Sequence, residues 1–131
     1  MENWTKKTHV GSSLPAKPGQ FAMFVGRWQP LHEGHQELFK RAMDEGKNVL
    51  ICIRDIKPDE KNPFTAEEVK DNITLHYENE PRVNVMIIPD ICSIEFGRGV
   101  GYDIVEHVPP IEIADISATK IREQMKIEGK L

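Results

Sequence analysis

Short unbroken apolar runs alternate along this chain with stretches in which apolar residues recur every three or four positions. "FAMFV" from Phe21 and "NVLICI" from Asn48 are of the first kind. Continuous runs of this length predict strands buried on both faces of a parallel sheet. Between them Leu38, Phe39, Ala42 and Met43 share one side of a helix, and Glu37, Lys40, Arg41 and Asp44 the other. Gly46 is placed to end that helix. Residues 21–54 therefore predict a βαβ unit with a right-handed crossover.

A loop holding Pro58 and Pro63 leads to Thr65, with Glu68 three positions on, the pattern of a helix-opening capping box. Ala66, Val69, Ile73 and Tyr77 mark the inner face of this second helix, and Pro81 closes it. "VNVMII" predicts a third strand. Beyond Pro89, "SIEF" and "YDIVEHV" predict further strands around the glycine-rich "GRGVG". A last helix opens at Ser117 with Ile121 and Met125 turned inward. Residues 1–20 are polar and punctuated by Gly11, Pro15, Pro18 and Gly19, which predicts an extended lead-in, with Trp4 docked on the body. The fold class is α/β: one domain over 21–131, a sandwich around a mostly parallel sheet.

The totals add limits. A chain of 131 residues is large enough for one domain with a real core. Its 39% apolar and 29% charged residues are those of an ordinary soluble globular protein. With 17 Lys and Arg against 21 Asp and Glu, the net charge of −4 argues against a nucleic-acid or polybasic membrane partner. No apolar run approaches the roughly 20 residues of a membrane span. The first 20 residues lack the apolar stretch of a secretory signal. Cys52 in "VLICI" and Cys92 in "DICSI" have no CxxC spacing and read as buried thiols of a reducing compartment, which points to the cytoplasm.

Candidate chemistry gathers in "GRWQPLHEGH", residues 26–35. It lies at the carboxyl end of a parallel strand, where such sheets bind ligands, and leads into a helix N-terminus, whose free N–H groups suit phosphate. Gly26 and Gly34 allow close approach of a ligand to the backbone. Arg27 supplies a planar, permanently charged fork. His32 and His35 can each donate a hydrogen bond to a phosphoryl oxygen. On spacing alone, a histidine pair in a loop is more often simply solvated. Read as metal ligands, the pair lacks an obvious third partner nearby. Nor is this a Walker A loop, because no Lys-Ser/Thr pair follows a second glycine.

"HEGH" after a strand resembles the HxGH signature of the nucleotidylyltransferase superfamily, and "ISATKIR" resembles that superfamily's second signature, ISSTxxR. The order of the two, about 80 residues apart with an α/β pattern between them, makes the pair specific. The resemblance covers about residues 20–128 and implies a Rossmann-like three-layer α/β/α sandwich. It also implies transfer of a nucleoside monophosphate from a nucleoside triphosphate to a small phosphate-bearing acceptor, releasing pyrophosphate, with Mg²⁺ carried on the triphosphate. By this resemblance His32, His35 and Arg122 are catalytic, the histidines acting as charge-bearing donors. Gly26, Arg27, Gln29, Gly34, His35, Arg98, Ser117 and Thr119 fall on the nucleotide, Trp28 and Arg54 toward the acceptor, and Asp55 or Glu95 are placed to assist. Trp28, as a bulky loop residue, reads equally as partly buried core, and the segment holding Arg98 reads equally as a glycine-rich hairpin turn. Family members usually form dimers or larger assemblies.

"GRWQPLHEGH" and "NPFTAEE" look like the corresponding segments of archaeal-type nicotinamide-mononucleotide adenylyltransferases, which favours ATP. "ISATKIR" also matches their version of the second signature better than the cytidylyltransferase one, whose leading Arg is replaced here by Glu112. The chain is, however, shorter than those adenylyltransferases, with only 27 residues between Pro89 and Ser117. Two alternatives stay open: a cytidylyltransferase using CTP and a phosphorylated alcohol, and a nucleotide-binding module without activity.

Overall fold

In the computed structural model, residues 5–9, 19–97, 103–107 and 118–130 are described. The element order is β1 (Thr5–His9), β2 (Phe21–Gly26), α1 (Glu33–Asp44), β3 (Asn48–Asp55), α2 (Ala66–His76), β4 (Val83–Pro89), β5 (Ile104–His107) and α3 (Ala118–Ile127). β2, β3 and β4 form a parallel sheet with β3 in the middle. The register places Gly26 opposite Ile53 and Ile53 opposite Ile87, so the three carboxyl ends finish together along one edge. β1 and β5 pair antiparallel as a separate two-stranded ribbon. The His107 ring of that ribbon stacks on Phe24 of β2, with centroids 6.0 Å apart.

The strand order decides which face is covered. Both crossovers move the same way across the sheet, so two connections of the same hand put α1 and α2 on the same face. There Phe39, Ala42, Val69 and Ile73 pack with Val49, Ile51 and Ile53, and Phe24, Val85 and Ile87 join from the flanking strands. Phe39, Ile51, Ile53 and Ile73 are fully buried.

The opposite face corrects the expectation of strands buried on both sides. Cys52 of the central strand is buried, yet Phe21 and Met23 on β2 and Met86 on β4 are 51%, 57% and 44% exposed. The apolar runs of β2 and β4 are thus buried on one face and partly exposed on the other.

Local chemistry explains the helix limits. Thr65 and Glu68 form the expected capping box: Thr65 Oγ1 accepts from the Glu68 N–H, and Glu68 Oε1 accepts from the Thr65 N–H. Glu33 and Arg41 place acid and base at the ends of α1 that suit the helix dipole. Gly46, at φ 85°, turns the chain out of α1. Arg82 fastens that end by donating through Nη2 to the carbonyls of Met43 (2.9 Å) and Lys47 (2.6 Å). Periodicity does not reveal this contact.

Two further expectations are corrected. "SIEF" forms no strand, and Ile94 and Phe96 within it are exposed. Cys92 is accordingly exposed rather than a buried thiol, while Cys52 is buried, and both are free. No helix among the described residues is long and apolar enough to cross a membrane. Trp4 and most of "GRGVG" lie outside the described residues.

Candidate active site

The β2–α1 loop takes its shape from Trp28. Its backbone has φ 53°, a conformation that side chains other than glycine rarely adopt, and tertiary contacts hold it there. The indole Nε1–H donates to the Cys52 carbonyl at 3.0 Å, and the residue is only 7% exposed. The ring meets Phe39 and His35 edge-on, with centroids 5.3 and 4.8 Å away. Gly26 makes this possible, because a Cβ there would stand 2.9 Å from Trp28 Cε2. Of the two readings of Trp28, a partner for the acceptor or a buried core residue, the structure shows the second, with its ring enclosed by protein.

Gln29 is corrected in the same way. It is 4% exposed, and both ends of its amide are bonded to one residue of the β3–α2 loop. Nε2 donates to the Phe64 carbonyl (2.9 Å), and Oε1 accepts from the Phe64 N–H (3.0 Å). The side chain expected on the nucleotide therefore clamps two loops together.

Past this clamp, His32 serves as the N-cap of α1 in an extended conformation. The Gly34 N–H donates to His32 Nδ1 at 3.1 Å, and the His32 N–H donates to His35 Nδ1 at 3.2 Å. The usual capping box pairs Ser or Thr with Glu or Gln; here two imidazoles form the reciprocal bonds. The rings stack with centroids 3.6 Å apart and planes 20° from parallel. A ring nitrogen that accepts from a backbone N–H carries no proton, so the neutral imidazole holds its proton on Nε2. Each ring is thereby fixed in one tautomer, with Nε2–H left to donate to a ligand.

Burial reinforces this state. It holds His35 far below the usual imidazole range, at about 3, with the adjacent His32 adding to the effect, and it lowers His32 as well. The pair is neutral near pH 7, which corrects the expectation of charge-bearing donors. A pH dependence follows. Between about 3 and 6.5 the unfolded chain binds a proton at His35 that the folded chain refuses. This contribution to stability is complete above pH 6.5 and is lost progressively as the pH falls below it. Urea titrations from pH 7 to 4 should show a steeper loss for the wild type than for His35→Gln.

The N-terminal half of α3 reaches the same loop. Arg122 Nη1 donates to the Gln29 carbonyl at 2.5 Å, and Nη2 donates to Thr119 Oγ1 at 3.3 Å. Thr119 is exposed, and Gly34 is buried in the first turn of α1. Arg27 is exposed and close enough to Asp59 for its charge to act on that carboxylate. Hydrogen bonds from Asn62 are the main cause holding Asp59 below its usual range, with smaller contributions from Lys61 and Arg27.

Arg54, at the end of β3, donates through Nε and Nη2 to Asp90 Oδ1 at 3.0 and 2.6 Å, so it stands at the carboxyl edge already paired. Asp55 is exposed at the same edge, and Glu95 Oε2 accepts from the Ser93 hydroxyl. Arg98 and Ser117 lie outside the described residues. Among the described residues no group of three or more His, Cys, Asp and Glu is placed to hold a metal ion.

The structure thus brings His32, His35, Thr119 and Arg122 to one loop. Sequence reading missed the knot behind it. Asp59 Oδ1 accepts from the N–H groups of Lys61 (2.9 Å) and Asn62 (2.8 Å) and from Asn62 Nδ2 (3.0 Å). The Asp-x-x-Asn turn pattern between two prolines was the available signal.

Comparison with known proteins shows the following similarities. A nicotinamide/nicotinic acid mononucleotide adenylyltransferase of Acinetobacter baylyi is 31% identical over 77 residues, covering 56% of this chain and 41% of its own. A nicotinamide-nucleotide adenylyltransferase of Methanococcus vannielii is 34% identical over 105 residues, covering 78% of this chain and 59% of its own. The chain thus spans between 41% and 59% of the length of these two relatives. A crystal structure of a bifunctional NMN adenylyltransferase/ADP-ribose pyrophosphatase from Francisella tularensis, complexed with AMP and a manganese ion, has 29% identity and a TM-score of 0.49. The match covers 55% of this chain and 23% of that one. The model of the cytidylyltransferase-like family matches residues 23–88, which run from within β2 to the end of β4. On that match over half of its length, this chain belongs to the cytidylyltransferase-like family.

Proposed function

We propose that this chain transfers the adenylyl group of ATP to a small phosphate-bearing acceptor and releases pyrophosphate. Nicotinamide mononucleotide is the first acceptor to test, as the names of the relatives suggest. The observation that carries this reading is that α1 and α3 both engage the β2–α1 loop. α1 offers two imidazole Nε2–H donors, and the N-terminal half of α3 offers Thr119 and Arg122, the latter bonded to the Gln29 carbonyl.

The acceptor phosphate is largely dianionic near neutral pH, since its second pKa is about 6, and needs no general base. In-line attack at the α-phosphorus follows, without a covalent enzyme intermediate. His32 and His35 donate to oxygens on which charge accumulates in the transition state, and being neutral they do so without first needing a proton. Arg122 and Thr119, with Ser117, hold the β- and γ-phosphates as pyrophosphate departs. The triphosphate would carry a divalent cation, Mg²⁺ in this proposal, which would supply neutralisation of part of its charge.

Pyrophosphate release measured across ATP, CTP, GTP and UTP with phosphorylated acceptors tests the reading. Release with ATP and nicotinamide mononucleotide supports it. Release only with CTP and a phosphorylated alcohol moves the chain to cytidylyl transfer. Nucleotide binding without release makes it a binding module.

A further inference from the structure

Gln29 holds together more than its own loop. Its amide is bonded on both sides to the backbone of Phe64, as a neighbouring strand would be. Phe64 is itself braced: the Asp59–Asn62 knot lies before it, with Asn62 only 5% exposed, and the capping box of α2 begins at the next residue. On the other side, Trp28 is anchored by its bond to the Cys52 carbonyl. The Gln29 main chain is therefore held by contacts to β3 and to the β3–α2 loop, and its carbonyl accepts from Arg122 of α3, 93 residues away in the chain. His32 follows three positions later.

We infer that Gln29 is a positioning residue: it does not touch the nucleotide but orients the carbonyl that aims Arg122 at the triphosphate held by the histidine pair. Arg122 has five N–H donors in a rigid fork. With Nη1 on Gln29 and Nη2 on Thr119 the fork's plane is set, and its remaining donors are available to phosphate. Without the amide clamp, the Gln29 carbonyl is free to tilt and the fork loses its reference. This inference rests on the adenylyl-transfer reading of the site.

A double-mutant cycle on the full chain tests it, reading pyrophosphate release for wild type, Gln29→Met, Arg122→Ala and the double variant. Methionine keeps the length and apolar bulk of Gln29 and removes both bonds to Phe64. If Gln29 acts through Arg122, Gln29→Met lowers kcat about 10- to 100-fold in the wild-type background, the size expected for an ångström-scale misplacement. In the Arg122→Ala background it then changes kcat by less than about twofold. An equal loss in both backgrounds, or no loss in the wild type, overturns the inference and leaves the proposed function standing.

Should Gln29→Met not fold, Gln29→Glu serves in the same two backgrounds. Its carboxylate still accepts from the Phe64 N–H but opposes the Phe64 carbonyl until it is protonated. Its kcat relative to wild type should then recover as the pH falls, but only where Arg122 is present; recovery in both backgrounds, or in neither, contradicts the inference. A wild-type chain that releases no pyrophosphate with any triphosphate and acceptor overturns the functional reading, and the inference with it.

Discussion

Replacing His35 with glutamine should leave the protein folded and reduce turnover about 100- to 1,000-fold, equivalent to about 3–4 kcal/mol of transition-state stabilisation. The substitution separates the two tasks of this residue. As a helix cap, His35 accepts from the His32 N–H. Glutamine at that position of a capping box accepts the same bond, so the opening of α1 survives. In its proposed role as a donor to phosphate, His35 presents Nε2–H from a ring held between His32 and Trp28, at centroid distances of 3.6 and 4.8 Å. The glutamine amide cannot hold a cap with its oxygen and also reach the imidazole's far edge with its nitrogen. Steady-state kinetics should show the loss in kcat, with KM for the triphosphate changed little, because the donor acts mainly on charge that develops in the transition state. Undiminished kcat in a folded His35→Gln protein would contradict the assigned role.

Gly26→Ala is expected to have the second-largest effect, on stability and turnover together. The added methyl would lie 2.9 and 3.0 Å from Trp28 Cε2 and Cζ2, inside contact distance. The indole cannot yield cheaply: it is nearly buried, bonded to the Cys52 carbonyl, and packed against Phe39 and His35. Forcing a carbon into such packing typically costs about 1–3 kcal/mol. Any displacement of the ring carries to His35, so turnover should fall by at least tenfold even at temperatures where the variant is folded. Urea unfolding gives the first quantity and pyrophosphate release the second. Wild-type stability in Gly26→Ala would show that the loop has slack around Trp28.

Much of this scaffold was legible in the sequence, because its signals are local. Leu38, Phe39, Ala42 and Met43 repeat with the helical period, Thr65 and Glu68 carry the chemistry of their own cap, and Gly46 has the positive φ its position asked for. The pairing of "HEGH" with "ISATKIR" implied that the two segments lie near each other, and Arg122 reaches the loop that His32 ends.

What escaped depends on partners distant in the chain. Trp28 and Gln29 sit in a polar-looking loop, and only Cys52, 24 residues on, and Phe64, 35 residues on, make them internal. The apolar letters of "SIEF" and "DICSI" suggested strand and core, but "SIEF" forms no strand and Ile94, Phe96 and Cys92 are exposed. The charge state of the histidines was equally out of reach. It follows from the backbone N–H groups on both Nδ1 atoms and from burial, neither of which a spacing of three residues encodes.

The central claim is that α1 and α3 hold one triphosphate, the first through neutral imidazoles and the second through Arg122. The most direct measurement is a ¹⁵N NMR titration of the labelled full chain with the non-cleavable α,β-methylene analogue of ATP and Mg²⁺, following the imidazole nitrogens of His32 and His35 and the Nε–H of Arg122. The account predicts that all three residues respond along one saturation curve, with both histidines in the Nε2–H neutral form before the nucleotide is added. Imidazolium signals at pH 7 in the free protein, or a response confined to one helix opening, would contradict it.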